Sequence, residues 1–318
     1  MAGRKLGAKR AKTAGLSESG QAVVLSVVWM VVLLGMAGLV IDVGSWYRSQ
    51  RDLQSQADAA ALAGAQELPV DTATATGLAK TYATKNGFTL PTSGITISGT
   101  IVPDDSINVK VDKNAPTFFS KVFGVATVPV RAEATARSEL IGSAKYVAPI
   151  AVNINHPLLT GVNAGVTCPC FDQDTTLPLG KTGAPGAFAL IDLDGNKGGT
   201  GASDLAAWIQ NGFQDYLDIG DYFSNTGAKW DSNAISDALN IRLGTVLMFP
   251  VYDTLSGTGV NALYHVVAWV GFRVDSFTAS GSSGSLTGQF KTITWEGLPA
   301  NVNGGTPNLG ARVITLIH

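Results

Sequence analysis

The sequence predicts an α+β chain: a long N-terminal transmembrane helix followed by a strand-rich, mainly antiparallel extracytoplasmic region. Three observations carry that reading. Residues 22–41, AVVLSVVWMVVLLGMAGLVI, contain no charge and no proline. No proline interrupts the chain before Pro69. From Asp71 onward, short runs of alternating apolar residues are separated by Gly-, Asn- and Ser-rich stretches, as strands and turns require. The organisation expected is a basic cytoplasmic tip over 1–16, a transmembrane helix continuing into an Ala-rich outer helix over 17–68, a small α+β unit over 69–145 and a β-rich domain over 146–318.

The tip is basic through Arg4, Lys5, Lys9, Arg10 and Lys12, and Glu18 is the one acid before Asp42. The whole chain has a formal charge of −2, so the remainder is acidic, at about −6 from Asp42 onward. A basic head could suit nucleic acid, but an apolar run separates it from the body, and no nucleic-acid partner is expected. With 45% hydrophobic and 14% charged residues, most of the chain has enough apolar material to fold.

Twenty uncharged residues are about what a helix needs to cross a hydrocarbon core. The positive N-terminal flank places that end in the cytoplasm, so the C-terminal region lies outside. Asp42 and Gly44 mark the exit, and Trp46 and Tyr47 follow where amphipathic rings favour the headgroup layer. A cleaved signal peptide is the rival reading, with a basic n-region and an apolar h-region. Its h-region would be long, and Asp42-Val43-Gly44-Ser45-Trp46 offers no A-x-A cleavage site.

One helix over about 17–67 would be roughly 75 Å long, far more than a bilayer is thick. On its outer half Leu53, Ala57, Ala60, Ala61, Gly64 and Ala65 share one side, with Arg51, Asp52, Gln54, Ser55 and Asp58 largely around the rest. Small residues at this spacing let another element approach closely. An exposed stalk built from the best helix former is the alternative.

Gly20-Gln21, the apolar span, Ile41-Asp42-Val43-Gly44, Tyr47-Arg48, Leu53-Gln54 and the run Ala57-Asp58-Ala59-Ala60-Ala61-Leu62-Ala63 together resemble the N-terminal signature of the TadE/TadG-like pilus-assembly family. These are membrane-anchored, pseudopilin-like proteins of bacterial tight-adherence (Flp-type) pili. Phe118–Gly124 followed by Val130–Ala136 is similar to the segment that commonly follows. The resemblance implies a single-pass protein of the cytoplasmic membrane that assembles or anchors a surface appendage through protein–protein packing. Its implied partners are the bilayer, other pilus-assembly or envelope proteins and further copies of the chain. Two family features are absent: an acid five positions after Gly20, as prepilin cleavage needs, and an Asp-x-Ser-x-Ser metal run.

Beyond the helix, 95–97, 107–111 and 128–130 read as strands, with a short helix over 116–123 between them. Further strands are expected at 187–192, 244–253, 263–275, 290–295 and 312–317. Helices are expected at 203–212, opened by Ser203 as cap, and at 231–243. Residues 280–285, SGSSGS, read as a hairpin tip.

Chemistry is sparsely signalled. Cys168-Pro169-Cys170 suggests a disulfide in an oxidising compartment, read either as a redox tether or as a clip within its loop. Asp192 and Asp194 open a partial calcium-loop pattern that fails at its Gly and Glu positions; an acidic turn leading into a helix is the ordinary account. His265 falls in an apolar strand, His156 precedes Pro157, and His318 ends the sequence. No nucleophile elbow, phosphate loop or HExxH occurs. Neither a catalytic residue nor a cofactor is therefore expected. The alternatives are an anchored envelope enzyme and an anchored adhesion or binding module.

Overall fold

The computed structural model describes residues 18–179, 189–197, 199–225, 230–258, 261–281, 283–300 and 305–317. The basic tip of residues 1–16, His318 and parts of the expected 187–192 strand and 280–285 hairpin tip lie outside them. The described chain has a long N-terminal apolar helix and a strand-rich, mainly antiparallel C-terminal region.

Helix α1 spans Glu18–Ala65 without a break. A second helix, α2, follows at Thr72–Lys85, where the sequence pattern predicts alternating strand-like runs. Its threonines obscure the period, but Ala75, Ala79 and Ala83 are all buried at four-residue spacing. Asp71 caps it by accepting from Thr74 N at 2.9 Å.

Strand β1, Ile95–Ser98, pairs antiparallel with β2, Ser106–Pro116, with Ile95 opposite Val109. The short helix expected over 116–123 is a 3-10 turn at Ser120–Phe123, because Pro116 still belongs to the strand. Strand β3 runs over Thr127–Ala144, far past the three residues the sequence signalled. Its burial alternates down most of its length, so small Ala positions rather than large apolar ones mark its inner face.

The remaining elements are β4 Ile150–Asn153, α3 Pro157–Thr160, β5 Val162–Asn163, β6 Val166–Thr167, β7 Asp174–Leu179, β8 Ala189–Leu190, α4 Ala202–Asn211, β9 Leu217–Asp218, β10 Gly220–Phe223 and α5 Asn233–Arg242. They are followed by β11 Val246–Ser256, β12 Leu263–Ser280, β13 Ser283–Lys291, β14 Ile293–Thr294, β15 Gly297–Pro299 and β16 Ala311–Ile317. Ser203 does not cap α4: the helix starts one residue earlier, at a Gly201 cap with no side-chain bond. Ser232 caps α5 by accepting from Ile235 N.

Among the described residues one sheet runs β1-β2-β3-β16-β14, with β15 and β9 also pairing with β3. In it β16 lies antiparallel to β3, Arg312 opposite Leu140, joining strands from either side of residue 145. A second sheet runs β7-β13-β12-β11-β4-β8, with β10 on β12. Its spine is the β11–β12–β13 meander, whose last turn closes Ser280 onto Ser283. Phe249 stacks on Phe272 at 5.5 Å, and Phe272 meets Phe290 edge-on at 5.1 Å. Leu205 and Ile209 of α4 and Ile235 and Leu239 of α5 complete that core.

The chain forms two compact units. One holds the helix as far as Ala57 together with Lys110–Glu133; the other holds Asp58–Val109 and everything described from Ala134 onward.

Candidate functional site

Asp42 is completely buried, on a helix whose preceding apolar residues are almost all exposed. A carboxylate in such a place requires donors. It finds them 76 to 78 residues on, in the turn joining β2 to β3. Its Oδ1 accepts from Phe118 N at 2.7 Å, and Oδ2 from Ser120 N at 2.6 Å and Ser120 Oγ at 2.7 Å. Phe119 N lies between, 3.1 Å from Oδ2 and 3.2 Å from Oδ1. The 3-10 turn has no side-chain cap of its own, so Asp42 supplies the acceptor that its first N–H groups lack.

The contact reaches one helical turn deeper. A Cβ on Gly38 would lie 2.4 Å from Phe119 Cγ and 2.9 Å from Phe119 Cβ, so only glycine lets that ring reach the helix. Toward the C-terminus, Gln50 donates to the Arg131 carbonyl and Gln54 to the Glu133 carbonyl, the latter at 2.9 Å. Gly38, Asp42, Gln50 and Gln54 thus form a stripe at multiples of four residues that fastens the β2–β3 hairpin along α1. Sequence reasoning took Asp42 for an exit marker and missed Gly38, Gln50 and Gln54. The four-residue spacing of those polar or small positions was the available signal.

The other residues expected at the exit behave differently. Gly44 is exposed, with open space where a side chain would begin. Tyr47 is exposed, and Arg51 stacks over its ring at 5.8 Å. Trp46 is half-buried, and among the described residues its Nε1 has no hydrogen-bond partner. Farther out, Leu53, Ala57, Ala60, Ala61, Gly64 and Ala65 are all buried. The packing is close at Gly64, where a Cβ would sit 2.6 Å from Ile107 Cδ1 of β2 and 3.0 Å from the Ala75 carbonyl of α2.

Cys168 and Cys170 are bonded to each other, and both are buried. Their N–H groups donate to Gly161 O and Leu158 O at 2.9 and 2.8 Å, which ties the bridge to α3 and its end. Asp192, buried, accepts from Thr200 N at 3.1 Å and from Asn225 Nδ2 at 2.8 Å. Burial raises its carboxyl pKa, partly offset by those bonds. Asp194 closes a local turn through Asn196. Among the described residues no cluster of three or more His, Cys, Asp or Glu side chains gathers there or elsewhere. His265 pairs with Asp221 at 2.8 Å on exposed strand surface, and His156 caps α3 through Leu158 N.

A cavity of about 300 Å³ is lined by Asp105, Glu139 and Arg312 among others. Both oxygens of each carboxylate are engaged. Asp105 accepts from the N–H groups of Thr100, Ile101 and Val102 and the Ser106 hydroxyl. Glu139 takes Arg137 at 2.7 Å and the Thr315 hydroxyl. Asp105 is held down to about 2: burial pushes it up, and the donors outweigh that. These carboxylates organise a turn and tie the paired strands β3 and β16 together.

Comparison with known proteins gives one positive result. No curated protein matches the chain, and no solved structure matches it. Residues 20–67, which contain Gly38, Asp42, Gly44, Trp46, Tyr47 and the whole alanine face, match the family model described as "Putative Flp pilus-assembly TadE/G-like". Over residues 20–67 the chain is therefore similar to the TadE/G-like Flp pilus-assembly family.

Proposed function

We propose that this protein is a membrane-anchored structural component of a bacterial Flp-type pilus-assembly system, acting through protein–protein packing. One observation carries the anchoring. The helix from Gly20 to Ala65 contains an 18-residue window of mean hydropathy 2.7 of which 6% is buried. Val24, Trp29, Met30, Leu33 and Met36 are each about 60% or more exposed. Water is a poor solvent for such a surface, and hydrocarbon a good one.

In this reading α1 crosses the cytoplasmic membrane once, its basic N-terminal flank stays inside, and the strand-rich region faces outward to meet envelope or pilus partners. The matched segment supports the pilus assignment; the alanine face is already buried within this chain, so contacts with partners fall to other surfaces. The β2–β3 hairpin, fastened at Asp42, would fix the chain as it leaves the bilayer.

The test is genetic. Cells lacking the chain should lose surface Flp pili, and the full chain expressed in trans should restore them. Cysteine probes at the N-terminal flank should stay shielded in intact cells while probes in β11–β13 loops become labelled from outside. Normal pili in the deleted cells would refute the assignment.

A further inference from the structure

The turn fastened to Asp42 carries an exposed apolar crest. Phe118 is 61%, Phe119 45%, Val122 81% and Phe123 86% exposed, and Val125 adds another 45%. Such a cluster on a tight hairpin end has no reason to face water.

Its position along α1 suggests what covers it. Phe119 seats on Gly38, which lies about 6 Å along the helix on the bilayer side of Asp42 at 1.5 Å per residue. Gly38 belongs to the uncharged run 22–41, whose side chains are the exposed surface of the span. The crest is thus continuous with the lipid-facing surface rather than placed beyond it.

The backbone of the tip suits that depth. Phe118, Phe119 and Ser120 give their N–H groups to Asp42. Thr117 donates to Ala126 O, Val122 to Phe119 O, Gly124 to Lys121 O and Val125 to Ser120 O. Backbone pairing of this kind is optional in water and needed in hydrocarbon. Lys121, exposed on the same turn, has a stem long enough to lift its ammonium to the phosphate layer.

We propose that this hairpin tip is a second membrane contact: a wedge seated in the lipid leaflet at which α1 leaves the bilayer, with Phe118, Phe119, Val122 and Phe123 among the acyl chains. The proposal rests on α1 spanning the membrane. It gives the chain two points of attachment in one leaflet, so the exit of α1 is fixed in depth and rotation rather than free to swivel.

The experiment uses the full chain in vesicles of phosphatidylethanolamine and phosphatidylglycerol. Its native cysteines are bonded to each other, so one introduced cysteine can carry an environment-sensitive fluorophore. Four variants are labelled: Phe123→Cys and Val122→Cys at the tip, Met36→Cys in the span and Ile241→Cys on the outer body. Quenchers are spin-labelled lipid or aqueous iodide.

The wedge predicts that the probes at 122 and 123 lose fluorescence to lipid-borne quencher as the Met36 probe does, and resist iodide. The Ile241 probe behaves oppositely. Iodide quenching at 122 and 123 with lipid quenching at 36 overturns the wedge and leaves the span intact. Protection of 122 and 123 from both quenchers means that another protein surface covers the tip, which also overturns it. Failure of lipid quenching at 36 removes the span and the wedge with it.

Discussion

Asp42 takes up three consecutive backbone N–H groups and a hydroxyl, and its removal should be felt there before anywhere else. Asp42→Ala keeps a good helix former in α1 and strips the turn of its acceptor. With buried donors costing about 1–3 kcal/mol each when unmet, the tip should loosen by about 3 kcal/mol. Amide exchange at 118–120 should then accelerate by about a hundredfold, with exchange in β11–β13 unchanged; equal rates in both proteins would dismiss the latch. Asp105 gives a pH prediction. Its folded pKa of about 2 lies below the ordinary 3.8, so its stabilisation is present in full above 3.8 and disappears as pH falls through about 2. Asp105→Asn should flatten the acid limb of stability against pH, followed by urea midpoints, and a limb of unchanged steepness would assign acid sensitivity elsewhere. Neither role was legible locally. A lone acid after an apolar run announces an exit, but its donors lie 76 residues away, beyond the reach of spacing arguments.

Among the elements, α1 was readable because proline is absent, the apolar run is unbroken and small residues recur at helical spacing. The same criteria failed for α2, whose TATATGLAKTYATK mixes threonine with alanine and offers no large apolar period. Its buried face is made wholly of alanine, so only contact with another small-residue face reveals it. That contact makes a prediction. At Gly64 a side chain would meet Ile107 Cδ1 at 2.6 Å, which can shift, and the Ala75 carbonyl at 3.0 Å, which is backbone and cannot easily move. Gly64→Leu should cost about 1–3 kcal/mol by overpacking, seen as a lowered Tm in detergent. Ala61→Leu, at another fully buried position, should act in the same direction, whereas Gly44→Ala, with open space around it, should be neutral. A stable Gly64→Leu protein would mean that the helix ends separate freely. Strand lengths were underestimated for a related reason: β3 buries Ala132, Ala134 and Ala136, residues that carry little strand signal.

For the molecule as a whole, the architecture of a long apolar helix and an antiparallel body followed from composition and periodicity, while the order of strands did not. Pairing of β3 with β16 depends on partners far apart in sequence, and the latch, alanine face and outer sheets share no motif that would tie them together. Under the proposed function, what unites them is the apolar helix, since a protein that assembles an appendage at a membrane must be held there. The most direct measurement replaces residues 18–41 with a cleavable secretion signal in cells whose only copy is that variant, and counts surface pili. Anchored assembly predicts a folded, exported body, recognised by its intact disulfide and protease resistance, and few or no pili. Wild-type pilus numbers from that unanchored body would contradict it.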